Sequence, residues 1–405
     1  MNTTLNKLMA DLRCERYPDR WETFFDEVLE GFNKKKDPLL SPDFYRELNE
    51  KYRVLERHLD IYQEAALKIS QNENLSLFFS LLSRAMLDRG QIQRDLRALD
   101  FPKARNGEDP LPYNMLPGLF ICGSIPSFYE YMKVKGMPDD VIYPSLSIPE
   151  ASVDTFMRKH GGAAGFGNFD WYQLFYDRRL YRIDGFNMEF PSPFPGIAKV
   201  LQNSNGDTVA LATNVTLHRD GFPLGSKHNE DAEGSFVATY KETDDSHIGH
   251  PYNERGFVEK ESRVFSKSEW STLFSGGSGM VSIHIPKGAR FDPETIENAI
   301  AHTKELIKKY FPEFDYKLFF CGSWLLDPQL GDILREDSNI VRFCRRFKPL
   351  AVKDSGSCVF GFVFNKPDMN FELSELPEDT SLERALKKHY LDGKAIYETF
   401  GYFLP

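Results

Sequence analysis

Apolar residues in the first hundred positions recur at the spacing of an α-helix. Trp21, Phe25 and Val28 follow one another at intervals of three or four residues, so they lie on one face of a predicted helix. Two further apolar stripes, over residues 42–62 and 75–87, predict helices that pack against the first one. The sequence therefore predicts a helical N-terminal region.

The pattern changes between residues 281 and 347, where short apolar runs alternate with a helical stripe. Within residues 281–285 the apolar positions alternate with Ser282 and His284, which predicts a strand with one apolar face and one polar face. Asp292 then supplies an N-cap for a predicted helix. This region has the strand–loop–helix order of an α/β unit.

Further strands and a final helix are predicted towards the C-terminus. Residues 316–324, 340–347 and 358–364 are apolar runs of strand length. Thr380 and Glu383 have the spacing of a capping box, which predicts the start of the last helix. Strands that alternate with helices in this way predict a largely parallel or mixed sheet with helices packed on it.

Length, charge and cysteine usage narrow the class of protein. A chain of 405 residues is long enough for two domains with their own cores. The net charge of −10 argues against a nucleic-acid-binding protein. The five cysteines lack CxxC spacing and fit free thiols in a reducing compartment. No apolar run reaches the roughly 20 residues of a membrane helix, so a cytoplasmic protein without a membrane partner is predicted.

The segment Lys287, Gly288, Ala289 and Arg290 forms a short basic loop between the strand and the helix that Asp292 begins. A glycine, two cations and the N–H groups of a helix start together favour binding of a phosphate group. The alternative is an ordinary connection with solvated cations, since short glycine loops are weakly specific.

His284 and Ser323 stand at the ends of two successive predicted strands. His284 points away from the apolar face, where a general base can act; the alternative is a histidine that bonds a neighbouring carbonyl. No GxSxG segment occurs in the chain, which argues against a serine nucleophile of the hydrolase type. Cys321 and Trp324 are interpreted as core residues.

The densest basic run of this acidic chain contains Arg342, Arg345 and Arg346. On the predicted strand, Arg342 and Arg346 share one face and Arg345 lies on the other. These arginines either hold the phosphates of a cofactor or pair with nearby acids such as Glu336 and Asp337.

His247, His250 and His228 are the candidate metal ligands of the turn-rich segment. No helix aligns the first two, and no carboxylate stands at a ligand spacing. Histidines in turns are the favoured interpretation, and no metal site is predicted.

Several of these segments carry a resemblance to a known family. They are His284–Pro286 with the helix after it, Ser323–Pro328, Ser338–Phe343 and Arg345–Phe347, preceded by Leu180–Phe190. In this order they resemble a bacterial family of acyltransferases. Its members join an N-terminal domain of N-acyltransferase type to a C-terminal domain related to the GNAT fold of N-acetyltransferases.

The resemblance implies an α+β protein in two parts. Residues 1–155 are expected to form a mostly helical domain of N-acyltransferase type. Residues 156–405 are expected to form a GNAT-like mixed β-sheet flanked by helices, with a C-terminal extension. It also implies transfer of an acyl group from acetyl-CoA or another acyl-CoA to a small-molecule amine, which attacks the thioester directly.

Site roles follow from the same resemblance. Lys287, Gly288, Ala289 and Arg290, with Arg342 and Arg346, are expected to bind the phosphates of CoA. His284 is expected to act as the base, and Ser323 to protonate or orient the thiolate. The usual Q/R-x-x-G-x-G/A loop of the fold is replaced here by Lys-Gly-Ala-Arg after Pro286.

Two other classes of protein function are also compatible with the sequence. One is a non-catalytic protein that binds a nucleotide or an acyl ligand in the same crevice. The other is a hydrolase of thioesters or amides, which the absence of a serine elbow disfavours.

Overall fold

The computed structural model describes residues 3–224, 233–366 and 371–405. The chain divides by its internal contacts into two compact units, Met1–Arg182 and Ile183–Pro405. The domain boundary expected between residues 155 and 156 stays a prediction. Within the described ranges, the helices all fall short of the length and apolarity that crossing a bilayer requires.

The first unit is built from helices, as the apolar spacing predicts. Trp21, Tyr45, Tyr62 and Phe78 are fully buried in its core. Side-chain caps start several of the helices, for example at Asn72. The helices are α1 (Leu5–Leu12), α2 (Phe25–Lys34), α3 (Pro42–Tyr52), α4 (Leu59–Gln71), α5 (Glu73–Met86), α6 (Ile92–Arg97), α7 (Leu111–Gly123), α8 (Ile125–Val134), α9 (Asp139–Leu146), α10 (Glu150–Lys159) and α11 (Phe169–Tyr176).

The second unit combines strands and helices, and the boundary between the units falls within its first strand. The strands are β1 (Leu180–Ile183), β2 (Phe186–Pro193), β3 (Ala198–Asn203), β4 (Thr208–Ala212), β5 (Val215–Leu217), β6 (Phe236–Ala238), β7 (Tyr240–Glu242), β8 (Ser246–Gly249), β9 (Arg263–Ser266), β10 (Trp270–Phe274), β11 (Gly279–His284), β12 (Tyr316–Ser323), β13 (Lys348–Asp354) and β14 (Glu398–Phe403). The helices are α12 (Pro293–Tyr310), α13 (Leu330–Ile333), α14 (Asn339–Arg346), α15 (Cys358–Phe362) and α16 (Ser381–Leu391).

The central sheet of this unit has the strand order β1-β2-β11-β12-β14-β13. β11 and β12 run parallel and are joined through α12, whereas β11 pairs antiparallel with β2 and β14 pairs antiparallel with β12 and β13. Smaller sheets have the orders β10-β3-β4, β5-β6 and β7-β8-β9. The predicted mixed sheet with flanking helices is confirmed.

One face of the central sheet, which we call the helix side, lies against α12 and α14. Phe319 of β12 and Phe403 of β14 stack on this face with ring centroids 4.9 Å apart. Lys304 of α12 lies 5.9 Å from the Phe319 ring centroid. Arg346 of α14 lies 4.8 Å from the Phe403 ring centroid. Both helices therefore cover the same aromatic surface.

The opposite face, the small-sheet side, lies against the sheet β10-β3-β4. One buried cluster joins Met280, Leu318 and Phe320 of the central sheet to Val200 and Phe274 of the smaller one. Burial of each such side chain stabilises the folded state by about 2 kcal/mol. The cluster thus fixes the smaller sheet against the centre of the larger one.

Helix α12 follows the sequence signals closely. The Asp292 carboxylate accepts a hydrogen bond from the Thr295 N–H at 3.0 Å, which is an N-cap. Ile296, Ile300 and Ile307 are buried on one face of the helix. The cap places the N-terminal turn of α12 just after the loop that leaves β11.

The strand predicted over residues 340–347 is wrong, because this segment forms helix α14. The Ser338 hydroxyl accepts a hydrogen bond from the Val341 N–H at 3.3 Å and caps the helix. The β-branched residues Ile340 and Val341 favour a strand by propensity. The serine cap and the burial of one helical face outweigh that preference.

The strand predicted over residues 358–364 is also wrong, because α15 lies there. Val359, Phe360 and Phe364 are buried in one cluster, and their spacing fits a helical turn. The capping box at Thr380 and Glu383 is confirmed at the start of α16.

Candidate functional site

The central sheet opens between β11 and β12. Their paired register ends at Ser282 and Phe320. β11 stays paired with β2 as far as His284, and β12 stays paired with β14 as far as Ser323. The two parallel strands therefore part at their carboxyl ends, and we call this gap the strand opening.

His284 and Ser323 border the strand opening on opposite faces of the sheet. Residues in register on parallel strands point to the same face, and successive residues alternate. Ser282 and Phe320 are in register, and Phe320 belongs to the cluster on the small-sheet side. His284 therefore lies on the small-sheet side, whereas Ser323 lies on the helix side.

A buried carboxylate on β2 holds His284. Glu189 Oε2 lies 3.0 Å from His284 Nε2, and Glu189 Oε1 accepts a hydrogen bond from the Ser192 hydroxyl at 2.6 Å. The Glu189 side chain is 10% exposed and the His284 side chain is 27% exposed. The histidine thus remains accessible while its partner is enclosed.

Sequence reasoning missed Glu189. Residues 186–190 are apolar except for Asn187 and Glu189, and every one of them is buried. A charged residue enclosed in an apolar strand is a functional signal, because burying a carboxylate without a partner is costly. Its pairing with His284 depends on a register that the sequence does not reveal.

The segment after β12 fixes Ser323. The Ser323 hydroxyl oxygen accepts a hydrogen bond from the Leu325 N–H at 3.2 Å, so the residue caps a short turn of 3-10 helix over Trp324–Leu326. The hydroxyl proton is not used by that contact and can still be donated. Asp327 then accepts from the Tyr397 N–H at 2.7 Å, which ties this turn to the residue that precedes β14.

The basic loop makes a tight turn between β11 and α12. The Ala289 N–H donates to the Pro286 carbonyl at 3.1 Å. Gly288 has φ +83°, a left-handed conformation that favours glycine. The turn brings its backbone close to the start of α12, where N–H groups lack intrahelical partners.

Both cations of this loop have neighbours. Lys287 Nζ donates to Asn365 Oδ1 at 3.3 Å. Arg290 Nε lies 3.6 Å from Asp292 Oδ2, and the arginine side chain is 85% exposed. Such an exposed contact is weak, so Arg290 can turn towards an anionic ligand.

A crevice of about 240 Å³, which we call the helix crevice, lies between α12 and α14. Pro293 and Asn339, the first residues of the two helices, both line it. The positive ends of two helix dipoles therefore meet there. The other lining residues are Ile296, Glu297, Arg342, Phe343 and Arg346.

Arg346 is held within the protein. Its guanidinium makes two contacts with the Glu297 carboxylate, one of them at 3.0 Å, and it lies over the Phe403 ring. The Arg346 contact lowers the pKa of Glu297. Arg346 therefore ties α14 to α12 and to the sheet.

Arg342 differs from its neighbours. Arg345 pairs with Glu336 at 2.8 Å, and Arg335 pairs with Asp337 at 2.7 Å. Arg342 forms no ion pair with any residue in the described part of the chain. Because α14 is a helix rather than a strand, Arg342 and Arg346 are one turn apart on a shared face.

The remaining candidates have structural explanations. Cys321 and Trp324 are buried, as expected for core residues, and burial raises the pKa of the Cys321 thiol. His247 Nδ1 lies 2.7 Å from the Tyr240 hydroxyl, and His250 Nδ1 lies 3.2 Å from a backbone carbonyl. His228 lies outside the described residues. No group of three metal-ligating side chains is found in the ranges 3–224, 233–366 and 371–405.

Part of the chain matches a known family. Residues 222–403 match the family described as GNAT-like C-terminal domain. The match covers β11, α12, β12, α14 and β14, and with them both sides of the strand opening. The GNAT-like C-terminal fold expected from the sequence is confirmed. No curated protein matches the chain by sequence.

Solved structures resemble the whole chain. An acyltransferase in complex with decanoyl-CoA has a TM-score of 0.63 and 17% identity, with full coverage of both chains. An acyltransferase in complex with decanoyl-CoA and teicoplanin has a TM-score of 0.58 and 20% identity over 99% of each chain. An acyltransferase in complex with CoA and 10C-teicoplanin has a TM-score of 0.58 and 19% identity over 99% of each chain. These likenesses show a shared fold across both units.

Proposed function

We propose that this protein, whose residues 222–403 form a GNAT-like C-terminal domain, transfers an acyl group from acyl-CoA to an amine on a small-molecule acceptor. The observation that carries the proposal is the strand opening. A carboxylate-bound histidine borders this opening, and the helix side of the sheet carries a crevice lined by two helix N-termini and Arg342.

The helix side supports binding of the nucleotide part of CoA. Its phosphates would meet the backbone of the turn at Gly288, the N-terminal turn of α12, and Lys287 and Arg290. Arg342 in the helix crevice would supply a guanidinium that forms no ion pair in the described part of the chain. Side-chain cations and helix N-termini are suited to phosphate oxygens. The acyl-bearing arm would then pass through the strand opening.

The chemistry requires proton transfer at that opening. The acceptor amine attacks the thioester carbonyl carbon, a C–N bond forms, and His284 accepts the amine proton. The C–S bond then breaks, and the CoA thiolate takes a proton that Ser323 relays from solvent. A positioned base of this kind contributes a rate factor of about 10² to 10⁴.

The donor and acceptor classes have separate support. Two of the solved neighbours hold decanoyl-CoA, and one of these also holds teicoplanin. A thioester donor and a small-molecule acceptor are therefore reasonable substrates for the shared fold. The cysteines of this chain are free thiols, which supports the cytoplasm as its compartment.

Calorimetry and product analysis with one protein sample test the proposal. We expect acetyl-CoA or decanoyl-CoA to bind at low salt, and CoA to be released only when a suitable amine is present, with an amide as the product. CoA release without an amine would favour a hydrolase. Binding without turnover across an amine panel would favour a non-catalytic binding protein. Absence of binding to any acyl-CoA would contradict the proposal.

A further inference from the structure

Glu189 is a charged residue in a place where an apolar one would be expected. It lies on β2 directly opposite Ser282 of β11, on the small-sheet side beside the strand opening. The adjoining residues Met188 and Phe190 are buried and apolar. An enclosed carboxylate is costly unless it is paired, so its partners indicate its role.

The partners of Glu189 include one donor and one histidine nitrogen. The Ser192 hydroxyl donates to Oε1 at 2.6 Å, and His284 Nε2 faces Oε2 at 3.0 Å. An ionised carboxylate can only accept hydrogen bonds. When Glu189 is ionised, the nitrogen that faces it carries the proton, and the lone pair of the neutral ring is on Nδ1.

We infer that Glu189 is a positioning residue that sets the tautomer and the orientation of His284. Ser192 fixes the carboxylate, the carboxylate fixes the Nε2–H form of the ring, and Nδ1 becomes the basic atom. The same negative charge stabilises the imidazolium that forms when the ring accepts a proton. The consequence for catalysis rests on the proposed function, whereas the tautomer does not.

The tautomer can be measured on the ligand-free protein. With ¹⁵N-labelled histidine, the two ring nitrogens of His284 give distinct NMR shifts, and a His284→Gln sample assigns them. We expect the Nε2–H tautomer in the natural protein and a mixture of tautomers in Glu189→Leu. An Nδ1–H ring in the natural protein would overturn the inference, even if the leucine variant does not fold.

Kinetics separate positioning from a purely structural role. Glu189→Gln keeps the shape of the side chain, and we expect it to lower kcat about 100-fold, within the range for general bases. The KM for acyl-CoA should change less than about twofold, since uniform binding is not affected. Glu189→Asp should restore part of the rate.

A matched control lies in the same unit. His302 Nδ1 and Asp184 Oδ2 form a second carboxylate–histidine pair at 3.1 Å, with both side chains partly exposed. Asp184→Asn should leave kcat unchanged. An equal loss in the two variants, or a rise in KM alone in Glu189→Gln, would overturn the inference. A natural protein without acyl-transfer activity would refute the proposed function, and the NMR result would still decide the role of Glu189.

Discussion

The two faces of the central sheet carry different kinds of chemistry. On the small-sheet side, His284 is bound to a buried carboxylate, on the face of the sheet that also carries an apolar cluster. On the helix side, Arg342 and the first turns of α12 and α14 line an open crevice. The histidine suited to accept the amine proton is thus separated by the sheet from the groups suited to bind phosphate.

This difference assigns separate measurable effects to the two faces. A change on the small-sheet side should alter kcat with little effect on the affinity for CoA. A change in the helix crevice should alter the affinity with little effect on kcat. Variants on each face therefore test whether the two roles are separate.

The largest effect is expected at His284. His284→Ala removes the proposed base, and we expect kcat to fall by about 10³. The affinity for CoA, measured by calorimetry, should stay within about twofold. His302→Ala serves as the control, because this histidine lies on α12 and pairs with a turn aspartate. A loss of affinity in place of rate would contradict the separation of the two faces.

The next effect is expected at Arg342. Arg342→Ala removes a guanidinium that has no ion pair in residues 233–366, and we expect the Kd for CoA to rise about tenfold at low salt. The difference from the natural protein should shrink as salt is added, because screening weakens exposed charges. Arg345→Ala is the matched control, since Arg345 is already paired with Glu336. Equal effects of both substitutions would indicate a general charge effect.

A smaller effect is expected at Ser323. Ser323→Ala removes the hydroxyl that caps the turn at Leu325, at a cost of about 1 kcal/mol of unfolding free energy. If the same hydroxyl relays a proton to the thiolate, kcat should also fall about fivefold. Denaturant unfolding and steady-state kinetics on one preparation separate the two effects. A stability loss without any change in kcat would limit Ser323 to its structural role.

The smallest effect is expected at the pair of Glu297 and Arg346. The pair lowers the pKa of Glu297 in the folded state, so its stabilising effect is present above the unfolded pKa of about 4.3. That effect is lost as the pH falls through the lower, folded value. Because the Glu297 side chain is 59% exposed, the effect should be small. We expect Glu297→Gln to lower the free energy of unfolding at pH 7 by only about 0.5 kcal/mol relative to the natural protein. A difference that grows as the pH falls would contradict this account.

The parts of the fold with local signals were predictable from sequence. Asp292 and the capping box at Thr380 mark helix starts through contacts within a few residues. The alternation around His284 predicts its polar face in the same way. These features do not depend on what packs against them.

Features that depend on distant residues were not predictable. Residues 339–346 form a helix because one face packs on the sheet and on α12, although propensity favoured a strand. Glu189 meets His284 only through the register of β2 and β11. His284 and Ser323 likewise lie on opposite faces of the sheet because of the register between β11 and β12. These strands are joined through α12, so their register cannot be read from neighbouring residues.

The central claim is that acyl-CoA binds with its thioester in the strand opening. A crystal structure with decanoyl-CoA, or with a non-reactive thioether analogue, tests it most directly. The account predicts the sulfur between the ends of β11 and β12 beyond Ser282 and Phe320, and the phosphates against the first turn of α12 and Arg342. CoA bound elsewhere in the second unit, with the opening empty, would contradict it.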